Sequence, residues 1–224
     1  MNIAIYDLDK TITRRPTFTR FLLFYAWREQ RYRLAALPLW LGALIGYRLG
    51  FYGRKPLKQF GIALFIGRQI PRDKLQHVAM QFADHVLSDD LQPGAIQSVE
   101  LDRSNNRLLV LATAAPQFYA EEIGIRLGFD AIISTRHDFM PGDRVSNKIN
   151  GENCYASEKL KMVQEWLAVQ KLQRGDAHLR FYSDHPSDAP MLNWVDDAML
   201  VVANPGHKLR TLAKANHWQI VDFR

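Results

Sequence analysis

Two carboxylates set two positions apart, Asp7 and Asp9, stand where an apolar run, Ile3-Ala4-Ile5-Tyr6, stops. Acids this close cost free energy unless a cation or a reaction makes use of them. One can attack a phosphorus atom, with Mg²⁺ held by it and its neighbours, while the other gives a proton to the leaving oxygen. The same residues also suit a plain strand followed by an Asp turn and a helix cap. A second acidic pair, Asp184 and Asp188, brackets His185-Pro186-Ser187, and oxygen donors so spaced suit a hard divalent cation that keeps several waters. His185 has no partner at zinc-ligand spacing. Thr113 closes another apolar run, and the small residues Ala114 and Ala115 behind it let backbone N–H groups approach an anion. Lys159 falls in the first turn of a predicted helix, where the helix dipole does not favour a cation, so it is either a solvated surface residue or placed for chemistry.

The elements that must position these groups read as alternating strands and helices. Residues 3–6 form a strand with both acids at its carboxyl end, the end where open α/β sheets hold their ligands. Further strands are predicted over 108–112, 131–134, 180–183, 198–203 and 219–223, with helices over 117–127, 157–173 and 207–216. Pro141-Gly142-Asp143 and Asn150-Gly151 mark a small hairpin excursion over 139–150. The alternation from 108 onward argues for an α/β fold whose parallel sheet is covered on both faces.

Residues 13–90 have a different character. Phe18, Phe21, Leu22, Phe24 and Tyr25 recur at helical spacing. Residues 34–47 hold no charged side chain in fourteen positions, which is too short for a bilayer span of about 20 apolar residues, and Pro38, Gly42 and Gly46 interrupt the run. The pattern predicts a helical hairpin packed inside a cap. A second reading is a surface that dips into an anionic membrane, because Trp40, Tyr47, Phe51 and Tyr52 lie beside Arg48, Arg54, Lys55 and Lys58. Pro71-Arg72-Asp73-Lys74 opens one more helix, to about residue 87.

With 224 residues and 47% hydrophobic composition the chain can bury a sizeable core, either as one large domain or with a smaller one inserted. The net charge of +6 points to an anionic partner: a phosphorylated metabolite, an anionic lipid surface or nucleic acid. Nucleic acid is not expected, since the basic residues are scattered through apolar helices without a recognisable module. A single cysteine, Cys154, allows no internal disulfide and suggests a cytoplasmic, reducing location. Asp7 and Asp9 interrupt the stretch in which a signal peptide would need its apolar core.

Four pieces, in order, resemble the motifs of the haloacid dehalogenase superfamily of phosphatases: Asp7-Leu8-Asp9-Lys10-Thr11, Thr113 after a strand, Lys159 at a helix start, and Asp184-His185-Pro186-Ser187-Asp188. The layout is most similar to the phosphoserine-phosphatase-like branch and covers nearly the whole chain. The resemblance implies a Rossmann-like three-layer α/β/α core (residues 1–14 and 91–224) with a parallel sheet, and an inserted all-helical cap (residues 15–90). It implies Asp7 as the nucleophile that forms an aspartyl-phosphate, and Asp9 as general acid and then base. Thr113 and the N–H of Ala114 would hold a phosphoryl oxygen, and Lys159 would neutralise Asp7 and the phosphate. Mg²⁺ would be held by Asp7, the main-chain carbonyl of Asp9 and Asp184, with Asp188 in support.

Departures from that pattern bear on the substrate. The usual Gly of the first motif is Lys10, whose side chain is expected to point away from the phosphate. Pro16 occupies the position where phosphoserine phosphatases carry the Glu that reads the substrate's amino group, and the carboxylate-reading cap arginine has no evident counterpart near residues 61–63. The sequence therefore reads as a Mg²⁺-dependent phosphomonoesterase for a small phosphorylated metabolite, with phosphoserine itself a doubtful substrate. Arg14 and Arg15, at the junction of core and cap, are candidates for contacting an anionic substrate or gating closure. The alternatives are a lipid phosphatase of the phosphatidylglycerophosphate type at the membrane surface, and a non-catalytic phosphate-sensing or interaction protein. Phosphoryl transfer to another hydroxyl shares the first steps.

Overall fold

In the first strand, β1 (Asn2–Tyr6), alternate side chains enter different interiors: Ile3 and Ile5 one, Ala4 and Tyr6 the other. That is the period-two consequence of an extended backbone buried on both faces. A computed structural model describes the whole chain, Met1–Arg224. After β1 the chain makes a tight turn and enters an inserted segment: α1 (Phe18–Glu29), α2 (Leu37–Arg48), α3 (Arg54–Phe65), the short strand β2 (Gln69–Pro71) and α4 (Arg72–Asp89). It returns through α5 (Pro93–Ser104), β3 (Leu108–Pro116), α6 (Gln117–Arg126) and β4 (Ala131–Thr135). A hairpin of β5 (His137–Met140) and β6 (Arg144–Ile149) follows, then α7 (Ser157–Val169), β7 (His178–Ser183), the single turn α8 (Ala189–Leu192), β8 (Asp197–Val201), α9 (His207–Ala215) and β9 (Gln219–Val221).

The main sheet has the order β4-β3-β1-β7-β8-β9, and all its pairings are parallel. Helices α5 and α6 cover one face with the core that holds Ala4 and Tyr6, while α7, α8 and α9 cover the other with Ile3 and Ile5. This is the expected three-layer α/β/α arrangement. The chain leaves β1 toward β3 on one side and reaches β7 on the other, so the carboxyl end of β1 is the topological switch point where such sheets form a crevice.

The inserted segment is helical apart from β2, which pairs antiparallel with β6 and joins the β5–β6 hairpin in a second, three-stranded sheet. Three residues around a proline carry no readable alternation, so only the partner strand reveals β2. The fourteen-residue apolar run departs further from expectation. It is not a packed hairpin but a turn of 3-10 helix (Arg31–Ala36) leading into the single helix α2, of which Trp40 alone is buried. Leu39, Leu41 and Ile45 face outward. A helix apolar on every side can bury only the face that meets its neighbours, here α3, and the rest stays outside.

Candidate active site

β1 delivers Asp7 to the crevice by continuing the ladder one residue further, since the Asp7 N–H donates to the Tyr182 carbonyl at 2.9 Å. Beneath it the Tyr6 hydroxyl donates to Asp102 at 2.6 Å and Arg180 donates to the other oxygen of the same carboxylate at 2.9 Å, locking β1 to β7. The turn that follows puts Lys10 in the left-handed region, at φ +62°. That is why glycine suits this position: a side chain there is strained.

Lys159, near the start of α7, enters the site from the opposite face of the sheet. Its ammonium is almost wholly buried and donates to Asp7 Oδ1 at 2.8 Å and to Asp188 Oδ2 at 2.6 Å. The Ser183 hydroxyl also donates to Asp188 Oδ2, at 2.8 Å, while Asp188 Oδ1 is buried without a partner. Asp184 lines the same cavity and lies near enough for its charge to interact with that of Lys159, without a direct bond between them. Burial pushes Asp7 up to about 7, with Asp188 and Asp184 adding to the effect and Lys159 opposing it. Burial likewise raises Asp184 to about 6, against the pull of Lys10 and Lys159. Burial disfavours the charged form of Lys159, but Asp188 and Asp7 outweigh it and hold the amine firmly protonated.

A cavity of about 230 Å³ opens over these groups, lined by Asp7, Asp9, Lys159, Asp184 and Asp188 together with residues that the motifs do not include. Asp9, on the cavity wall, accepts at Oδ1 from the Thr17 N–H at 2.8 Å and from its hydroxyl at 2.7 Å, so the start of α1 fixes the carboxylate while Oδ2 has no protein donor. The surplus of negative charge, the orphaned Asp188 oxygen and an all-oxygen donor set fit a hard divalent cation. No three acidic, histidine or cysteine side chains converge on one point. A site of two carboxylates, Asp7 and Asp184, with the Asp9 main-chain carbonyl would not need them to.

Thr113 and Ala114 lie at the carboxyl end of β3, beside Asp7, where the register to β4 shifts between Ala112 and Pro116. Neither lines the cavity. The Thr113 hydroxyl accepts the Ala115 N–H at 3.1 Å, and the Ala114 carbonyl accepts from Thr135 at 2.8 Å. Arg14 and Arg15 are exposed outside the cavity as well. Arg15 donates to Asp90 at 2.7 Å, Arg20 takes the other oxygen of that fully buried carboxylate, and the Arg14 N–H donates to the Asp90 carbonyl at 2.7 Å. The two strands that connect insert and core are thus clasped through Asp90. Lys10 borders the cavity instead of turning away from it.

Sequence reasoning gave no site role to Arg54, Tyr155, His185 or Ser187, which also line the cavity. Arg54, at the start of α3, stacks on Tyr155 with its guanidinium carbon 3.7 Å from the ring centroid, and both line the cavity. His185, whose Nδ1 accepts the Ser187 N–H at 3.1 Å, forms another wall with Ser187, and burial followed by the charge of Arg54 lowers its pKa. Pro16 is also on the wall, so no carboxylate stands at that position. Lys58 was read with the outer basic residues but turns inward. Its ammonium donates to the Ala114 carbonyl and, at 2.6 Å, to Asn153, and burial lowers it to about 8. No local pattern of residues separates Arg54 and Lys58 from Arg48 and Lys55.

Residues 4–193 match the family model described as haloacid dehalogenase-like hydrolase. The chain is 28% identical over 166 residues to the phosphoserine phosphatase SerB1 of Mycobacterium tuberculosis, an alignment that covers 73% of this chain and 51% of that protein. It thus spans about half the length of the mycobacterial relatives it matches. Among solved structures, a Bordetella pertussis Tohama I protein of unknown function superposes with a TM-score of 0.86 at 24% identity, covering 100% of this chain and 99% of that one. A substrate-bound phosphoserine phosphatase superposes with a TM-score of 0.64 at 12% identity, covering 98% and 91%. At these identities the two structures speak for the fold.

Proposed function

Since the chain belongs to the haloacid dehalogenase-like hydrolases, we propose that it is a Mg²⁺-dependent phosphomonoesterase working through an aspartyl-phosphate on Asp7. The observation that carries this reading is Lys159 bonded to both Asp7 and Asp188 at the carboxyl end of β1, with Asp9 and Asp184 in the same cavity. Lys159 leaves Asp7 Oδ2 for attack and lowers the repulsion between that carboxylate and a phosphate. When bound, Mg²⁺ would cancel more of that repulsion. Attack of Asp7 Oδ2 on phosphorus forms the acyl phosphate and expels the ester oxygen, which takes a proton from Asp9. The same carboxylate then removes a proton from the water that hydrolyses the intermediate. Asp188 holds Lys159 in place; the motif assigns Thr113 and the Ala114 N–H, at the end of β3 outside the cavity lining, to a phosphoryl oxygen.

Residues 15–90 act in this reading as a cap that selects the leaving group. Arg54 and Lys10 supply positive charge at the mouth, and Pro16 gives nothing for an ammonium group to pair with. The favoured substrate is therefore a small phosphate ester whose leaving group bears an anionic or hydrogen-bond-accepting group, in preference to phosphoserine. The test is phosphate release, with Mg²⁺ and with EDTA, from p-nitrophenyl phosphate, phosphoserine, sugar phosphates and a dispersed lipid phosphate monoester. Release should need Mg²⁺ and vanish in Asp7→Asn. Absence of release from every ester, with phosphate still bound, would leave a phosphate-sensing protein.

A further inference from the structure

Charge is distributed very unevenly along this chain. Residues 30–72 contain eight Lys and Arg and no Asp or Glu, whereas the remainder holds 21 Lys and Arg against 23 Asp and Glu. The whole positive excess of the protein therefore lies in the segment that forms α2 and α3. On the outside of that segment, Leu39, Ile45, Leu49, Phe51 and Phe60 are exposed, Phe51 by 77%. They line an almost wholly apolar groove of about 620 Å³ between α2 and α3, which Gly42 and Gly46 leave open by having no side chains. Arg31, Arg48 and Arg68 stand exposed in the same segment without an acidic partner. Exposed apolar side chains gathered along one groove, unlike apolar residues scattered singly, point to an interaction site.

We propose that this face docks on the interface of an anionic lipid bilayer. Charge complementarity selects that partner. A second copy would bring the same acid-free, positively charged segment against this one, whereas acidic headgroups match its unpaired arginines and the acyl boundary accepts Phe51, Leu49 and Ile45. No helix is long and apolar enough to cross a membrane. The twelve residues of α2 extend about 18 Å, against a hydrocarbon core of about 30 Å, so the helix lies along the surface. Helix α3 carries Arg54 into the catalytic cavity and Phe60 onto the groove, which ties the docking face to the mouth of the site through one rigid element. The proposal does not depend on the phosphatase reading.

The experiment is flotation of the full chain with phosphatidylcholine vesicles and with vesicles containing about 30% phosphatidylglycerol. Binding should be at least about tenfold tighter to the anionic vesicles and should fall about tenfold between low salt and ~0.5 M NaCl. The double variant Leu49→Glu, Phe51→Glu should weaken it at least about tenfold, with hydrolysis of a soluble ester and the circular dichroism spectrum unchanged. Val169→Glu, an exposed apolar residue on α7, serves as the control and should change nothing. No preference for anionic vesicles overturns the proposal. So does a concentration-dependent dimer in sedimentation velocity that the double variant dissolves, because the face would then belong to a second copy of the chain.

Discussion

Lys159→Met removes one charge and little volume from the centre of the site, so its effect can be worked out from the geometry. The ammonium lies 2.8 Å from one oxygen of Asp7 and 2.6 Å from one of Asp188. At an effective dielectric of about 20, each contact is worth about 6 kcal/mol of attraction, before several kcal/mol are lost in taking the ammonium out of water. Removing only the cation leaves two buried carboxylates facing each other, and the folded protein should lose about 3–5 kcal/mol in urea denaturation with EDTA present. The deficit should depend on pH. Asp7 already sits at about 7 against an ordinary 3.8, and without Lys159 it rises further. A folded-state value above the unfolded one means that the folded variant binds the extra proton, so its stability falls as pH rises through that value. The gap to the wild type should accordingly be wider near pH 8 than near pH 6. Turnover should drop by about 10²–10³. A variant within about 1 kcal/mol of the wild type at both pH values would refute the account of Lys159 as the cation that makes the carboxylate cluster tolerable.

Two other perturbations test separate parts of the structure. His137 is buried beside Phe118, and burial pushes it down to about 4 from an ordinary 6.5. The folded value lies below the unfolded one, so the stability it confers is present above 6.5 and lost as pH falls toward 4, by at most about 3 kcal/mol. His137→Gln should flatten the melting temperature across that window relative to the wild type, and an unchanged slope would count against the assignment. Lys10→Gly relieves the left-handed backbone and should raise stability by about 1 kcal/mol in denaturant titrations. Loss of its charge from the cavity should raise KM for an anionic ester severalfold, whereas an unchanged KM would mean that the ammonium does not meet the substrate.

By itself the sequence determined the order of elements and the chemistry available at their ends. An apolar strand buried on both faces cannot carry acids, so Asp7 and Asp9 had to lie just past its end, and the alternation from residue 108 onward required a parallel sheet with helices on both faces. Residue types and their order were enough to single out Asp7, Asp9, Lys159, Asp184 and Asp188, all of which line one cavity. What only the tertiary structure decided is which of several similar groups meets that cavity. Periodicity reports that a helix has faces, but not what is packed against each of them. Lys55 and Lys58 look alike in sequence, yet one pairs with Glu152 at the surface and the other is buried against Asn153. Arg54 reaches the cavity and Arg15 does not, because the buried Asp90 carboxylate, 75 residues away in sequence, takes the latter. The apolar run of α2 has the composition of an interior helix. It lies outside because the insert offers it a single neighbouring layer, a fact of packing that no local pattern of residues records.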